Sequence, residues 1–142
     1  MALREEYPHF LQIPTRWMDN DVYGHVNNVV YYAYFDTAVN RFLIERKVLD
    51  IHQGPVIGYV VESSCRYERP LSFPDVIDAG LRVARIGNSS VQYELALFRQ
   101  GEASSSADGR FVHVYVDRQT QRPTPIPDEM RAALSTLLAP SN

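Results

Sequence analysis

Residues 29–44 read Val-Val-Tyr-Tyr-Ala-Tyr-Phe-Asp-Thr-Ala-Val-Asn-Arg-Phe-Leu-Ile. Only Asp36, Thr37, Asn40 and Arg41 are polar, and at about 100° per residue they fall in one narrow stripe. The pattern predicts a helix that is apolar nearly all round, and such a helix must be covered on most sides by surrounding structure. Asn27 and Asn28 stand just before it, where an asparagine side-chain oxygen can accept an otherwise orphaned backbone N–H. Glu45, Arg46 and Lys47 mark its far end.

The chain on either side reads as strands. Before the helix, His9 to Trp17 predicts a first strand with Phe10, Gln12, Pro14 and Arg16 on one face and Leu11, Ile13 and Trp17 on the other. Pro14 has no N–H to give a ladder, so this strand belongs at an edge or holds a bulge. After the helix come runs at Val56 to Tyr67, Val76 to Ile86 and Ser89 to Arg99, and a last run ending at Asp117. Ile77, Ala79, Leu81 and Val83 share one face of the second of these, and Val91, Tyr93, Leu95 and Leu97 share one face of the third. In the last run Val112, Val114 and Val116 stand opposite Phe111, His113 and Tyr115, which sets His113 alternating with core valines. Gly87-Asn88 and Gln100-Gly101 are turn signals. Asp108-Gly109 reads either as a hairpin turn or as a bulge within a longer strand. Pro127 suits the first turn of a short helix over Asp128 to Leu138, with Met130, Leu134, Leu137 and Leu138 as its apolar stripe. One long buried helix followed by four strands predicts an α+β fold, in which an antiparallel sheet of about five strands curls around that helix.

The chain's 142 residues make one domain's worth of sequence, 1–142, and 45% hydrophobic against 22% charged residues excludes a disordered chain. A formal net charge of −3 argues against nucleic acid as a partner. No apolar run approaches the ~18 residues of a membrane span, and the short charged start from Met1 to Pro8 is no signal peptide. A cytoplasmic protein is the expectation. Cys65 is the single cysteine, which excludes an intrachain disulfide and a cysteine-rich zinc site. Lys47 is the only lysine among the 14 basic residues, so arginine carries nearly all positive charge. That suits bidentate phosphate recognition, as it also suits a plain composition bias.

The densest polar cluster is Arg16-Trp-Met-Asp19-Asn-Asp21-Val-Tyr-Gly24-His25-Val-Asn27-Asn28, just ahead of the buried helix. The first N–H groups of a helix form a partial positive end that suits an anion or a polarised carbonyl oxygen. A carboxylate beside it can act as a general base or nucleophile, giving an acyl-transfer arrangement with the helix start as oxyanion hole. The plainer reading is an Asx-turn at Asp19 and Asp21 with asparagine caps. Asp19-x-Asp21-x-x-Gly24 opens like a calcium loop, but its twelfth position is Val30 where a bidentate glutamate is required. His9, His25, His52 and His113 show no zinc spacing, and there is no G-x-S-x-G elbow or P-loop. Cys65 reads as strand packing, and His113 as a pocket-lining or hydrogen-bonded core histidine. Arg66, Arg69, Arg82 and Arg85 read as a solvated rim or as a phosphate clamp.

Asp19-x-Asp21-x-x-Gly24-His25-Val26-Asn27-Asn28, followed by Tyr31, resembles the signature of the 4-hydroxybenzoyl-CoA thioesterase-like family of hotdog-fold acyl-CoA thioesterases. The likeness continues through Tyr67-x-x-Pro70-Leu71, Asp75, Ile86-Gly87-Asn88-Ser89-Ser90, Val116-Asp117 and Pro125-Ile126-Pro127, and so covers roughly residues 10–138. The resemblance implies a single hotdog fold, a homodimer often paired into tetramers, and active sites at the dimer interface. It implies hydrolysis of an acyl-CoA thioester without a metal, with no cofactor beyond the coenzyme A of the substrate. Residue by residue, it makes Asp21 the catalytic carboxylate, as nucleophile or as base for water. Asn28 becomes the helix-start position whose N–H polarises the carbonyl, and His25 a further catalytic candidate. Asp19 supports the loop, Tyr31 faces the acyl pocket, and Gly24 lies beside the substrate. Some members carry a basic cluster after the second long strand to hold coenzyme A phosphates. Here that turn is Ile86 to Ser90, which leaves Arg85, Ser89 and Ser90 as candidates. Two other functions fit the same residues: hydrolysis of acyl groups on an acyl carrier protein docked at Arg82 and Arg85, and non-catalytic acyl-CoA binding.

Overall fold

The structure, a computed structural model, describes residues 1–139. Its long helix, α1, runs Asn28–Glu45, and the Asn27 side chain accepts the Val29 N–H at 3.0 Å. Tyr31, Tyr34, Phe35, Ala38, Val39, Phe42 and Leu43 are buried, while Asp36, Thr37 and Arg41 face outward. The cover is less complete than the sequence predicts. Val29 is 68% and Ile44 45% exposed, because within one chain the sheet meets only one side of the helix.

Five strands form one antiparallel sheet: β1 His9–Pro14, β2 Val56–Tyr67, β3 Val76–Ile86, β4 Ser90–Arg99 and β5 Ala107–Asp117. Their spatial order is β1-β3-β4-β5-β2, so β1 and β2 are the edges. Pro14 sits on an edge strand as its missing N–H requires. β1 stops at Pro14 rather than Trp17. The Thr15 N–H turns to the Asp75 carbonyl, and Trp17–Asp19 coils into a short 3-10 turn. β4 starts one residue later than expected, because Ser89 belongs to the turn and gives its carbonyl to Tyr115. The predicted inner faces of β3 and β4 are all buried beneath α1.

The last strand inverts the expected roles of its residues. Phe111, His113 and Tyr115 lie on the α1 face, and Val112 and Val114 on the outer face, half-buried. Asp108-Gly109 is neither hairpin nor bulge: both residues sit in regular register between β2 and β4. The glycine is there because a Cβ would strike the Phe35 ring and the Ser64 carbonyl, so α1 rests directly on the strand. The β4–β5 turn falls at Gln100-Gly101, where Gly101 adopts φ +89°. A short helix, α2, spans Asp128–Ser135 with Pro127 as its N-cap rather than inside its first turn. Beyond it the chain tightens through Leu137 and Leu138, and the Leu137 carbonyl accepts the Val83 N–H at the β3 bulge. The whole is the hotdog arrangement implied by the sequence: a five-stranded antiparallel sheet curled on one long helix, with a short C-terminal helix.

Candidate active site

Two aspartates two residues apart take opposite roles in the loop before α1. Asp19 is buried and fully engaged. It accepts the Arg16 N–H at 2.9 Å, the Arg16 guanidinium at 2.9 and 3.0 Å, and the Tyr34 hydroxyl at 2.7 Å. Burial pushes its carboxyl up, but the Tyr34 and Arg16 bonds outweigh this and hold it below the usual carboxylate range. Burial and the bond to Asp19 together push the Tyr34 phenol well up. Asp19 therefore supports the loop, as the resemblance implied.

Asp21 sits on a tight turn and is only half-buried. Its N–H goes to the His25 carbonyl at 2.8 Å, its carbonyl accepts the Gly24 N–H, and its Oδ1 accepts the Tyr23 N–H at 2.9 Å. Gly24 closes the turn at φ +82°, a conformation that favours glycine. The Asx-turn reading is thus correct for Asp21, but it occupies Oδ1 alone, and Oδ2 has no partner among the described residues. Val26 then anchors the loop by donating to the Leu71 carbonyl at 2.7 Å.

At the helix start, Val29 N–H is taken by the Asn27 side chain and Val30 N–H by the Asn27 carbonyl. The Asn28 N–H has no partner among the described residues, as expected of a first-turn amide. A cleft of 260 Å³ opens here, lined by His25, Asn28, Tyr31, Tyr67 and Arg69 among others. The structure thus brings together His25, Asn28 and Tyr31, with Asp21 and Gly24 on the adjoining turn.

Two further tyrosines adjoin the site. Tyr67 stacks edge-on against Tyr31 at 4.8 Å, and its hydroxyl donates to the Asn28 carbonyl at 3.2 Å. Its signal was present in the Tyr67-x-x-Pro70 motif, read there only as likeness. Tyr34 lies one turn beyond Tyr31 on the same helix face, a spacing that brings it over the loop before the helix. Arg69 bridges Glu102, Ser104 and Ser105.

Arg85 and Ser90 lie elsewhere. They line a cavity with Glu62, Gln92, Arg110 and Val112 on the outer face of the sheet, away from α1. Ser89 is in the turn beside them. Arg82 is committed to Glu94 at 2.9 Å and Arg66 pairs with Asp108 at 3.6 Å. Burial pushes the Cys65 thiol up to about 11, which fits the strand-packing reading. His113 is buried with Nε2 unpartnered, so it is not the hydrogen-bonded histidine of one expectation, and burial lowers its pKa to about 4.

Residues 15–134 match the thioesterase-like superfamily. A Pseudomonas aeruginosa PAO1 protein of known crystal structure is 62% identical, with a TM-score of 0.96 over 99% of this chain and 98% of that one. A second Pseudomonas aeruginosa protein, a proposed thioesterase, is 31% identical, with a TM-score of 0.84 over 90% of this chain and 98% of that one. A 1,4-dihydroxy-2-naphthoyl-CoA thioesterase from Synechocystis shares the fold at 16% identity, with a TM-score of 0.81 over 89% of this chain and 94% of that one. No curated protein matches the chain.

Proposed function

The chain belongs to the thioesterase-like superfamily, and from that premise we propose that it hydrolyses acyl-CoA thioesters to the free acid and coenzyme A. The observation that carries this reading is one half-buried carboxylate, Asp21, on the turn leading into α1, with one side-chain oxygen and the first α1 amide both without a partner among the described residues. The thioester carbonyl oxygen would accept the Asn28 N–H, where the helix dipole adds to the hydrogen bond. Asp21 would then attack the carbonyl carbon or take a proton from the attacking water. His25, in the same cleft, would donate to the departing thiolate. Tyr31 and Tyr67 would wall the acyl side. Arg85, Ser89 and Ser90, on the outer face of the sheet, would meet the nucleotide half of coenzyme A only from a neighbouring copy.

A homodimer is part of the proposal. β2 is 12 residues long and has a partner on one side only, with Tyr59, Val60 and Val61 between 40% and 59% exposed. A long apolar edge without proline invites pairing with another strand. A second copy is the simplest partner, because a two-fold axis makes the edge self-complementary. A monomer that retained activity would overturn this part.

The test is thiol release from a panel of short, long and aromatic acyl-CoAs, with Asp21→Asn beside the unaltered protein. Turnover that survives Asp21→Asn sinks the assignment of Asp21. Tight binding of an acyl-CoA without thiol release favours a binding protein instead. Faster turnover on acyl carrier protein would move the substrate class.

A further inference from the structure

The backbone that leads into α1 is held almost amide by amide. Val26 N–H goes to the Leu71 carbonyl at 2.7 Å and Asn27 N–H to the Asp19 carbonyl at 2.9 Å. Val29 N–H goes to Asn27 Oδ1 at 3.0 Å and Val30 N–H to the Asn27 carbonyl at 2.9 Å. From Val26 to Val30, only the Asn28 N–H has no partner among the described residues. The peptide group that follows it, joining Asn28 to Val29, is gripped at both ends by side chains. Asn27 Oδ1 holds its N–H, and the Tyr67 hydroxyl donates to its carbonyl at 3.2 Å.

The two grips differ in origin. Asn27 is local, whereas Tyr67 arrives from the end of β2, 39 residues along the chain. Its ring is anchored separately, edge-on against buried Tyr31 at 4.8 Å. Packing therefore accounts for the ring and leaves the hydroxyl unexplained, since a phenylalanine would pack as well. Burial does not account for it either. Tyr67 is 45% exposed, so water can satisfy its hydroxyl and nothing forces the bond to Asn28. What the bond does is mechanical. A peptide group is planar and rigid, and only the two soft torsions of Asn28 join the gripped group to the one that carries the free N–H. Holding the first limits how far the second can turn.

We infer that Tyr67 is a positioning residue: its hydroxyl holds the Asn28–Val29 peptide so that the Asn28 N–H stays aimed at the thioester oxygen while that oxygen gains charge. The inference rests on the hydrolase reading above and deepens it by naming what keeps the donor in place. A donor fixed beforehand spends no free energy on reorientation as the reaction proceeds, and a small misplacement of the reacting groups is felt in the rate. The effect belongs to the transition state, so it falls on kcat rather than on KM.

Tyr67→Phe keeps the ring against Tyr31 and removes only the hydroxyl. On the fastest ester of the panel its kcat should fall about tenfold, short of the ~10²–10³ that outright loss of an oxyanion donor costs, with KM within about twofold. An unchanged kcat, or a raised KM with kcat kept, overturns the inference, because Tyr67 then only walls the cleft. Asn27→Ala frees the other end of the same peptide group. With both grips on one group, the loss in the doubly substituted protein should depart from the product of the single losses, and losses that simply multiply overturn the inference. A readout free of turnover is the infrared band of a bound ketone analogue of butyryl-CoA, with a methylene in place of sulfur and a 13C-labelled carbonyl. Donation from Asn28 should lower the carbonyl stretch below its value in water, and Tyr67→Phe should lose part of that lowering. The same lowered band in both proteins overturns the inference. A band at its value in water in the unaltered protein removes the oxyanion donor, and the inference with it. A lowered band without thiol release from any ester counts against the hydrolase reading alone, because the ketone still reports on Tyr67.

Discussion

The two ends of α1 are each followed or preceded by a loop that one arginine holds, and the loops come out opposite in character. Before the helix, Arg16 closes on the Asp19 carboxylate at 2.9 Å. After it, Arg118 closes on the carbonyls of Gly54, Ile51 and Asp50. The first loop keeps polar valence in reserve: the Asp21 Oδ2 and the Asn28 N–H. The second turns the Arg118 guanidinium and the Asp50 carboxylate onto its own backbone, beside a cleft lined by Val48 and Ile51 together with Lys47, His52 and Glu129. Reactive groups must retain unsatisfied bonding capacity, and a loop that only holds its shape need not. The difference assigns chemistry to one end and shape to the other.

The harshest way to break this contrast is at Asp21. Asp21→Asn should cut thiol release by about 10²–10⁴-fold, the usual contribution of a positioned acid or base. Its melting temperature should stay close to that of the unaltered protein, because Asp21 is only half-buried and its carboxyl accepts one backbone bond, which asparagine can keep. A large drop in stability would mean that Asp21 is a turn residue like its neighbour.

The next effect concerns pH and separates site titration from global unfolding. His113 is buried, and its pKa falls from 6.5 to about 4 on burial. The unfolded chain therefore binds the proton more readily than the folded one. Stability is complete above pH 6.5 and is lost as pH falls from 6.5 toward 4, by about 3 kcal/mol in all. Urea midpoints at neutral pH and near pH 4.5 should show this loss, and His113→Phe should remove most of it. Activity that declines in that window in both proteins alike reports the site at the helix start. Activity that declines only in the unaltered protein reports unfolding.

Much of this was legible in residues 29–44 and in the strand periods around them. The helix, the alternation of β3 and β4 and the Asn27 cap all follow from local pattern. Three features did not, and each depends on a contact distant in sequence. Gly109 looks like a turn residue until Phe35 is laid across it. Phe111, His113 and Tyr115 and their alternating valines are equally strand-like, and only the pairing with β4 decides which set faces α1. The bulge at Val61 exists only relative to β5. At the site, sequence placed Asp21, His25, Asn28 and Tyr31 near one another because they are local. It did not separate Arg85 and Ser90 from them, since which face of the sheet they occupy is set by the β3 bulge and the β3–β4 register.

A smaller effect sharpens the contrast between the two aspartates. Asp19→Asn keeps the size of the side chain and removes the charge that receives Arg16 and Tyr34, so it should cost about 2–3 kcal/mol in urea unfolding. The carboxyl titrates below its ordinary value of 3.8 in the folded state, so the stability it adds is present above pH 3.8 and is lost as pH falls further. The variant should lack that acid-side loss, in a window below the one set by His113. Destabilisation near zero would mean that the loop before α1 holds its shape without Asp19.

The smallest effect lies at the other loop and tests whether shape is really its role. Arg118→Met keeps the aliphatic stem and removes the donors to three carbonyls, which at about 0.5–1.5 kcal/mol per bond, partly replaced by water, should cost about 1–2 kcal/mol. The carbonyls of Asp50, Ile51 and Gly54 then seek new partners, and the wall of the hollow loosens around Ile51. A site that carries chemistry would lose rate on every substrate. A loop that carries shape alone should lose stability only, with the rate of the folded variant unchanged. A loss of rate in the folded variant would place the loop after α1 in the machinery of the reaction, and the division of labour along the helix would fail.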